Sequence, residues 1–129
     1  MVGDVTKIED LERLVNQTIK TYGKLDVLVN NAGIYPNRSF IDKDFMSTYD
    51  LVFKTDIRSV AELNHLSVPY LQKTNGSIIH ISSIGGLGPV PNHSIKLSNL
   101  FYNIYQAQRL NGLLNGKGSH GYDDTMSGP

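Results

Sequence analysis

The sequence contains no cysteine, which removes disulfide cross-links and thiolate zinc sites from consideration. Neither charge is in surplus: Lys+Arg and Asp+Glu number 12 each in 129 residues, and the pI is near 6.9. A balanced chain has no electrostatic pull toward nucleic acid or an anionic membrane. No apolar run approaches the ~20 residues that a membrane span requires, and the N-terminus shows no secretory apolar core. Together these absences read as a soluble, cytoplasmic protein of at most one domain, with no nucleic-acid or membrane partner and no metal site. The 40% hydrophobic content is enough for one modest core.

What is present is organised around Leu25-Asp-Val-Leu-Val-Asn-Asn-Ala-Gly33. Leu25 to Val29 is a short apolar run with β-branched residues, as expected of a strand buried on both faces of a parallel sheet. Two amides, a small residue and a glycine follow at its carboxyl end, the edge where open α/β sheets bind ligands. Asn30 and Asn31 offer donors and acceptors, while Ala32 and Gly33 let a flat ligand lie against the backbone. Asn-Ala-Gly is also ordinary turn chemistry, so the residues alone leave both readings open.

Before this strand, Ile8, Leu11, Val15, Ile19 and Tyr22 recur at spacings of three and four and predict an amphipathic helix. Thr6 and Glu9 stand in capping-box register, and Gly23 is a stop. After it, Tyr35-Pro36-Asn37-Arg38 is a loop, either a rim over a ligand or solvated surface. Residues 43–72 then form the longest helical stretch, capped by Asp42 or Ser39. Phe45, Tyr49, Val52, Phe53, Ile57, Val60 and Ala61 give it a broad apolar face. Pro69 and Asn75-Gly76 signal its end. That face packs on a sheet, and it is wide enough to take a partner helix as well.

Ser77-Ile78-Ile79-His80-Ile81 reads as a second buried strand, joined to the first by a βαβ crossover and delivering Ser82 and Ser83 to the same edge. His80, among isoleucines, is expected to be a hydrogen-bonded core histidine rather than a ligand. The glycine-rich loop at 85–91 lacks phosphate-binding GxGxxG spacing. Residues 93–110 carry a mixed helical pattern with Leu97, Leu100, Phe101, Ile104 and Tyr105 on one side. Residues 111–129 form a polar tail expected to be disordered. His120, Asp123 and Asp124 in it are a solvated end rather than a metal site.

Asp4-Val5-Thr6, Asn30-Asn31-Ala32-Gly33 and Gly76-Ser77-Ile78-Ile79-His80-Ile81-Ser82-Ser83 resemble, in order and spacing, the middle of a short-chain dehydrogenase/reductase. The resemblance covers residues 3–92. It implies an α/β fold: a partial Rossmann-like, doubly wound parallel sheet in three αβα layers, lacking the first and last strands and occupying residues 1–110. It also implies an oxidoreductase that uses NAD or NADP on a small carbonyl or secondary alcohol. Asp4, Val5, Asn30, Asn31, Ala32 and Gly33 would border the cofactor, and Ser83 would hold the substrate oxygen, since a fixed hydroxyl can donate to developing negative charge.

The departures from the family pattern are as informative. The glycine-rich cofactor turn is expected ahead of residue 1 and is not in the sequence. The family's helical asparagine is matched by Asp56, whose ionised side chain accepts hydrogen bonds but cannot donate them. The family's Tyr-x-x-x-Lys is matched only by His93 and Lys96, three residues apart, with the histidine as stand-in acid and the lysine assisting the cofactor. Two functional expectations follow from these residues. One is hydride transfer by this family's chemistry. The alternative is an inactive, truncated relative, or an interaction module that pairs through residues 43–72 and forms a homo-oligomer.

Overall fold

A computed structural model describes residues 1–82. The elements in order are helix α1 (Ile8–Tyr22), strand β1 (Val27–Asn30), helix α2 (Phe45–Phe53), a π-helical turn (Lys54–Arg58), helix α3 (Ser59–Thr74) and strand β2 (Ser77–His80). The two strands pair in parallel, with Val27 opposite Ser77, Leu28 opposite Ile78, Val29 opposite Ile79 and Asn30 opposite His80. This is the βαβ unit expected from the sequence. Ser83, His93 and Lys96, the 85–91 loop, the 93–110 pattern and the 111–129 tail lie outside the described residues. Among the described residues no helix is long and apolar enough to cross a membrane.

The core forms where α1 and α3 lie on one face of the sheet. Leu11 and Val15 of α1 meet Leu63 and Leu71 of α3 over Leu28 and Ile78 of the strands. Strand alternation puts Val27, Val29 and Ile79 on the opposite face, about half exposed, and Ile81 beyond β2 is exposed to the same degree. The expectation of a strand buried on both faces is therefore corrected for the described residues. Only one helical layer lies against the sheet there.

The helix starts also differ from expectation. Lys7 takes the N-cap position of α1 without a side-chain cap bond, so no Thr6–Glu9 capping box forms. The Thr6 amide and hydroxyl instead donate to Asp4 Oδ1, at 2.9 and 2.8 Å, a local turn that consumes the capping hydroxyl. The turn is braced from α1: the Asp4 amide donates to Asp10 Oδ2 at 2.8 Å, and Asp10 pairs with Arg13 at 2.7 Å. At the other end Gly23 stops α1 as predicted, in the left-handed region at φ 75°. Ser39 and Asp42 close a turn on each other rather than capping α2, which begins after Asp44.

The 43–72 segment is not one uniform helix. At Lys54–Arg58 it widens into a π-helical turn, a deviation that shifts backbone pairing and recurs at functional sites. Hydroxyls take part in the repair: Thr55 Oγ1 donates to the Leu51 carbonyl at 2.8 Å, and the Ser59 hydroxyl donates to the Thr55 carbonyl. The helix also continues through Pro69, which is exposed, and ends only at the Asn75–Gly76 signal. Packing of the fully buried Leu71 beyond the proline outweighs the local breaking tendency.

Candidate functional site

At the carboxyl end of β1, Asn30 and Asn31 are adjacent amides in opposite environments. Asn30 is 7% exposed, and its Nδ2 donates to Asn64 Oδ1 of α3 at 2.9 Å. Its carbonyl accepts the Ile81 amide at 2.9 Å, which carries the ladder one residue past β2. Asn31, Ala32 and Gly33 are exposed. The chain is held again at Ile34, whose amide donates to Asp56 Oδ1 at 2.9 Å. Asp56 is 8% exposed and sits in the π-helical turn, with its carboxylate against Gly33. A Cβ on that glycine would lie 3.4 Å from Oδ1.

A cavity of about 160 Å³ opens at this edge, lined in part by Val5, Val29, Asn31, Ala32, Ser59 and Val60. Of the six residues expected to border a cofactor, Val5, Asn30, Asn31 and Ala32 thus meet around one space, with Gly33 next in the chain. Asp4 lies in the adjoining turn. The bonds it accepts from the Thr6 amide and hydroxyl hold its carboxyl below the usual carboxylate range. The cavity is smaller than the ~300 Å³ of a typical ligand pocket, so it suits part of a ligand. A larger open groove, about 690 Å³ and lined by Thr6, Ile8, Tyr49, Phe53 and Ile57 among others, touches no strand residue.

His80 departs from expectation. It faces the helix side beside Asn30, yet among the described residues both ring nitrogens are buried without a hydrogen-bond partner. Burial pushes its pKa down. Asn64 is the residue that the sequence reading passed over. The spacing of Val60, Asn64, Ser67 and Leu71 puts an amide on the buried face of a helix, and that pattern is visible in the sequence. Arg38 sits at the surface, its side chain 41% exposed, and pairs there with Asp44 at 3.0 Å.

A parallel βαβ unit with amides and glycine at its carboxyl edge defines an open-sheet α/β protein with its ligand edge at that end. Comparison with known proteins makes this specific. The family model for short chain dehydrogenase matches residues 1–95. An 11-beta-hydroxysteroid dehydrogenase-like 4A protein of Arabidopsis thaliana is 36% identical over 110 residues, covering 84% of this chain and 37% of the relative. A solved short chain dehydrogenase/reductase of Saccharomyces cerevisiae superposes with a TM-score of 0.80 at 28% identity, covering 89% of this chain and 44% of that one. ElxO, solved with NADP bound, gives 0.79 at 29% identity, covering 90% and 47%. The chain belongs to the short-chain dehydrogenase family. It spans just over a third of the length of the Arabidopsis relative and under half of the solved neighbours. The partial doubly wound fold read from the sequence is the fold of these neighbours.

Proposed function

We propose that this chain carries the central part of an NAD(P)-dependent oxidoreductase site, acting on a small-molecule carbonyl or secondary alcohol. The observation that carries this reading is the cavity shared by Val5, Asn31 and Ala32 at the strand edge. The exposed Gly33 beside them leaves the backbone open to a flat ligand. The donor set fits a dinucleotide: one exposed amide, a small residue, a glycine and an apolar wall. Asp4, Val5, Asn31, Ala32 and Gly33 would hold the cofactor, with Asn30 bracing them. The cofactor would supply the hydride. Ser83 would hold the substrate oxygen, His93 would act as proton donor and Lys96 would assist at the cofactor. Asp56, whose carboxylate accepts the Ile34 amide, would act as an anchor of the loop rather than as a donor.

The test is a titration of the purified chain with NADH and NADPH, followed by nicotinamide fluorescence. Saturable binding in the micromolar range is expected, with carbonyl reduction lost in Ser83→Ala. Absence of saturable binding at millimolar cofactor would overturn the reading.

A second reading has its own observation. Phe40 and Ile41 are 70% and 90% exposed, and Met46 and Leu51 are also exposed. Beside them Phe40, Phe45, Tyr49 and Phe53 form a run of ring contacts, 4.8, 6.5 and 4.3 Å between centroids. Exposed apolar surface of this kind marks association sites and supports an interaction module, homo-oligomeric through residues 43–72. Sedimentation showing only monomer at high concentration would remove that support.

A further inference from the structure

We infer that Asn64 is a positioning residue that decides which of two chemically identical neighbours, Asn30 or Asn31, faces the ligand. This deepens the proposed function and rests on it. Asn-Asn at a strand end is degenerate. Successive strand side chains point to opposite faces, so a slip of one residue exchanges the two amides without changing the chemistry of either. Apolar patterning cannot choose between two identical polar side chains.

A partner on one face can choose. Asn64 Oδ1 lies on the buried side of α3, 5% exposed, and takes Asn30 Nδ2 at 2.9 Å. With Asn30 held inward by that bond, Asn31 is the amide left exposed at the strand end, and both residues border the cavity. The tie belongs to a bracket. Eight residues earlier on the same helical segment, Asp56 holds Ile34, and Ser59, Val60 and Leu63 between them wall the cavity. One helical segment therefore clamps both ends of the exposed Asn31–Gly33 loop and supplies a wall of its cavity. The hydrophobic residues buried around it are leucine, isoleucine and valine, with Ser59 and Ser67 buried on the same helix. An apolar pair at positions 30 and 64 would pack there without loss, so the buried amide pair specifies register more than it adds stability.

The test uses the full chain, well below every variant's thermal midpoint. Asn64→Leu leaves the Asn30 amide buried without its acceptor. NADPH affinity is expected to fall at least about tenfold, and hydrogen exchange at the Ile81 amide, which is bonded to the Asn30 carbonyl, is expected to rise to a similar degree. Asn64→Asp keeps an acceptor oxygen at the same place and is expected to stay within about threefold on both readouts. In the double variant Asn30→Leu/Asn64→Leu, leucine is driven inward by burial, and protection at Ile81 is expected to return. Unchanged Ile81 exchange in Asn64→Leu would overturn the inference. So would wild-type affinity in Asn64→Leu when the wild type binds NADPH. If the wild type binds no NADPH, the proposed function falls, and the Ile81 measurement still decides the role of Asn64.

Discussion

Gly76→Ala is expected to cost about 2–4 kcal/mol of folding stability, as an overpacking penalty of about 1–3 kcal/mol plus a weakened hydrogen bond worth about 1 kcal/mol. A Cβ at residue 76 would lie 2.5 Å from the Asp26 carbonyl oxygen, 2.8 Å from Leu71 Cδ2 and 3.0 Å from Thr74 Oγ1. None of these yields freely. The Asp26 carbonyl accepts the Ser77 amide at 2.9 Å, Leu71 is fully buried, and Thr74 Oγ1 donates to the Leu25 carbonyl at 2.6 Å. Gly76 is thus the point where α3, the start of β2 and the chain entering β1 close on one another. Gly23→Ala provides the contrast. Nothing lies within 4 Å of a Cβ there, and the cost, about 1 kcal/mol, comes from its left-handed backbone alone. Urea unfolding should rank the midpoints wild type, Gly23→Ala, Gly76→Ala, with similar slopes. Against a domain stability of about 5–15 kcal/mol, the larger loss leaves a visible unfolded population. Equal losses at both glycines would defeat the steric account.

Both the strands and α1 were legible because they rest on apolar period and on turn residues, which are properties of residue types. Leu11 and Val15 are buried where period demands, Leu28 and Ile78 lie in the two apolar runs, and Gly23 and Asn75–Gly76 stop their helices. The π-helical turn at Lys54–Arg58 was not legible. It shifts hydrogen-bond partners by one residue without requiring any special side chain, and the hydroxyls of Thr55 and Ser59 that help repair it are unremarkable in sequence. Pro69 misled because local breaking was weighed without the packing of Leu71 beyond it. At the site, Asn31, Ala32 and Gly33 were readable as small and amide groups at a strand edge. The division of labour between Asn30 and Asn31 was not, because it depends on a contact across 34 residues with Asn64. The face of the sheet that carries Val27, Val29 and Ile79 looked buried on apolar content alone, and content does not say how many layers will cover it.

Acidification from pH 7.5 to 5 is expected to destabilise the folded chain, and His80→Leu is expected to flatten that slope. His80 ends β2 with both ring nitrogens buried and, among the described residues, unpartnered. Among the described residues, the neighbouring buried positions carry no charge: β1 contributes Val27, Leu28, Val29 and Asn30, α1 buries Leu11 and Val15, and the buried residues of α3 are Ser59, Val60, Leu63, Asn64, Ser67 and Leu71. Burial without an anion disfavours the imidazolium, so the folded pKa lies below the ordinary 6.5. Above that value neither state carries the proton, and stability from this group is fully present. As the pH falls below it, the unfolded chain binds a proton that the folded chain refuses, and stability declines by at most about 1.4 kcal/mol per pH unit. The loss is complete once the pH passes the depressed folded value. Asp4, also depressed, titrates below its ordinary 3.8 and leaves this window untouched. The consequence reaches the site, because the residue after His80 donates its amide to the Asn30 carbonyl. Protonating His80 therefore loosens the strand end that holds the Asn30 node, and hydrogen exchange at Ile81 should quicken on acidification in the wild type but not in His80→Leu. An imidazole titration by NMR that places His80 at or above 6.5, or an equal stability slope in the leucine variant, would refute this coupling.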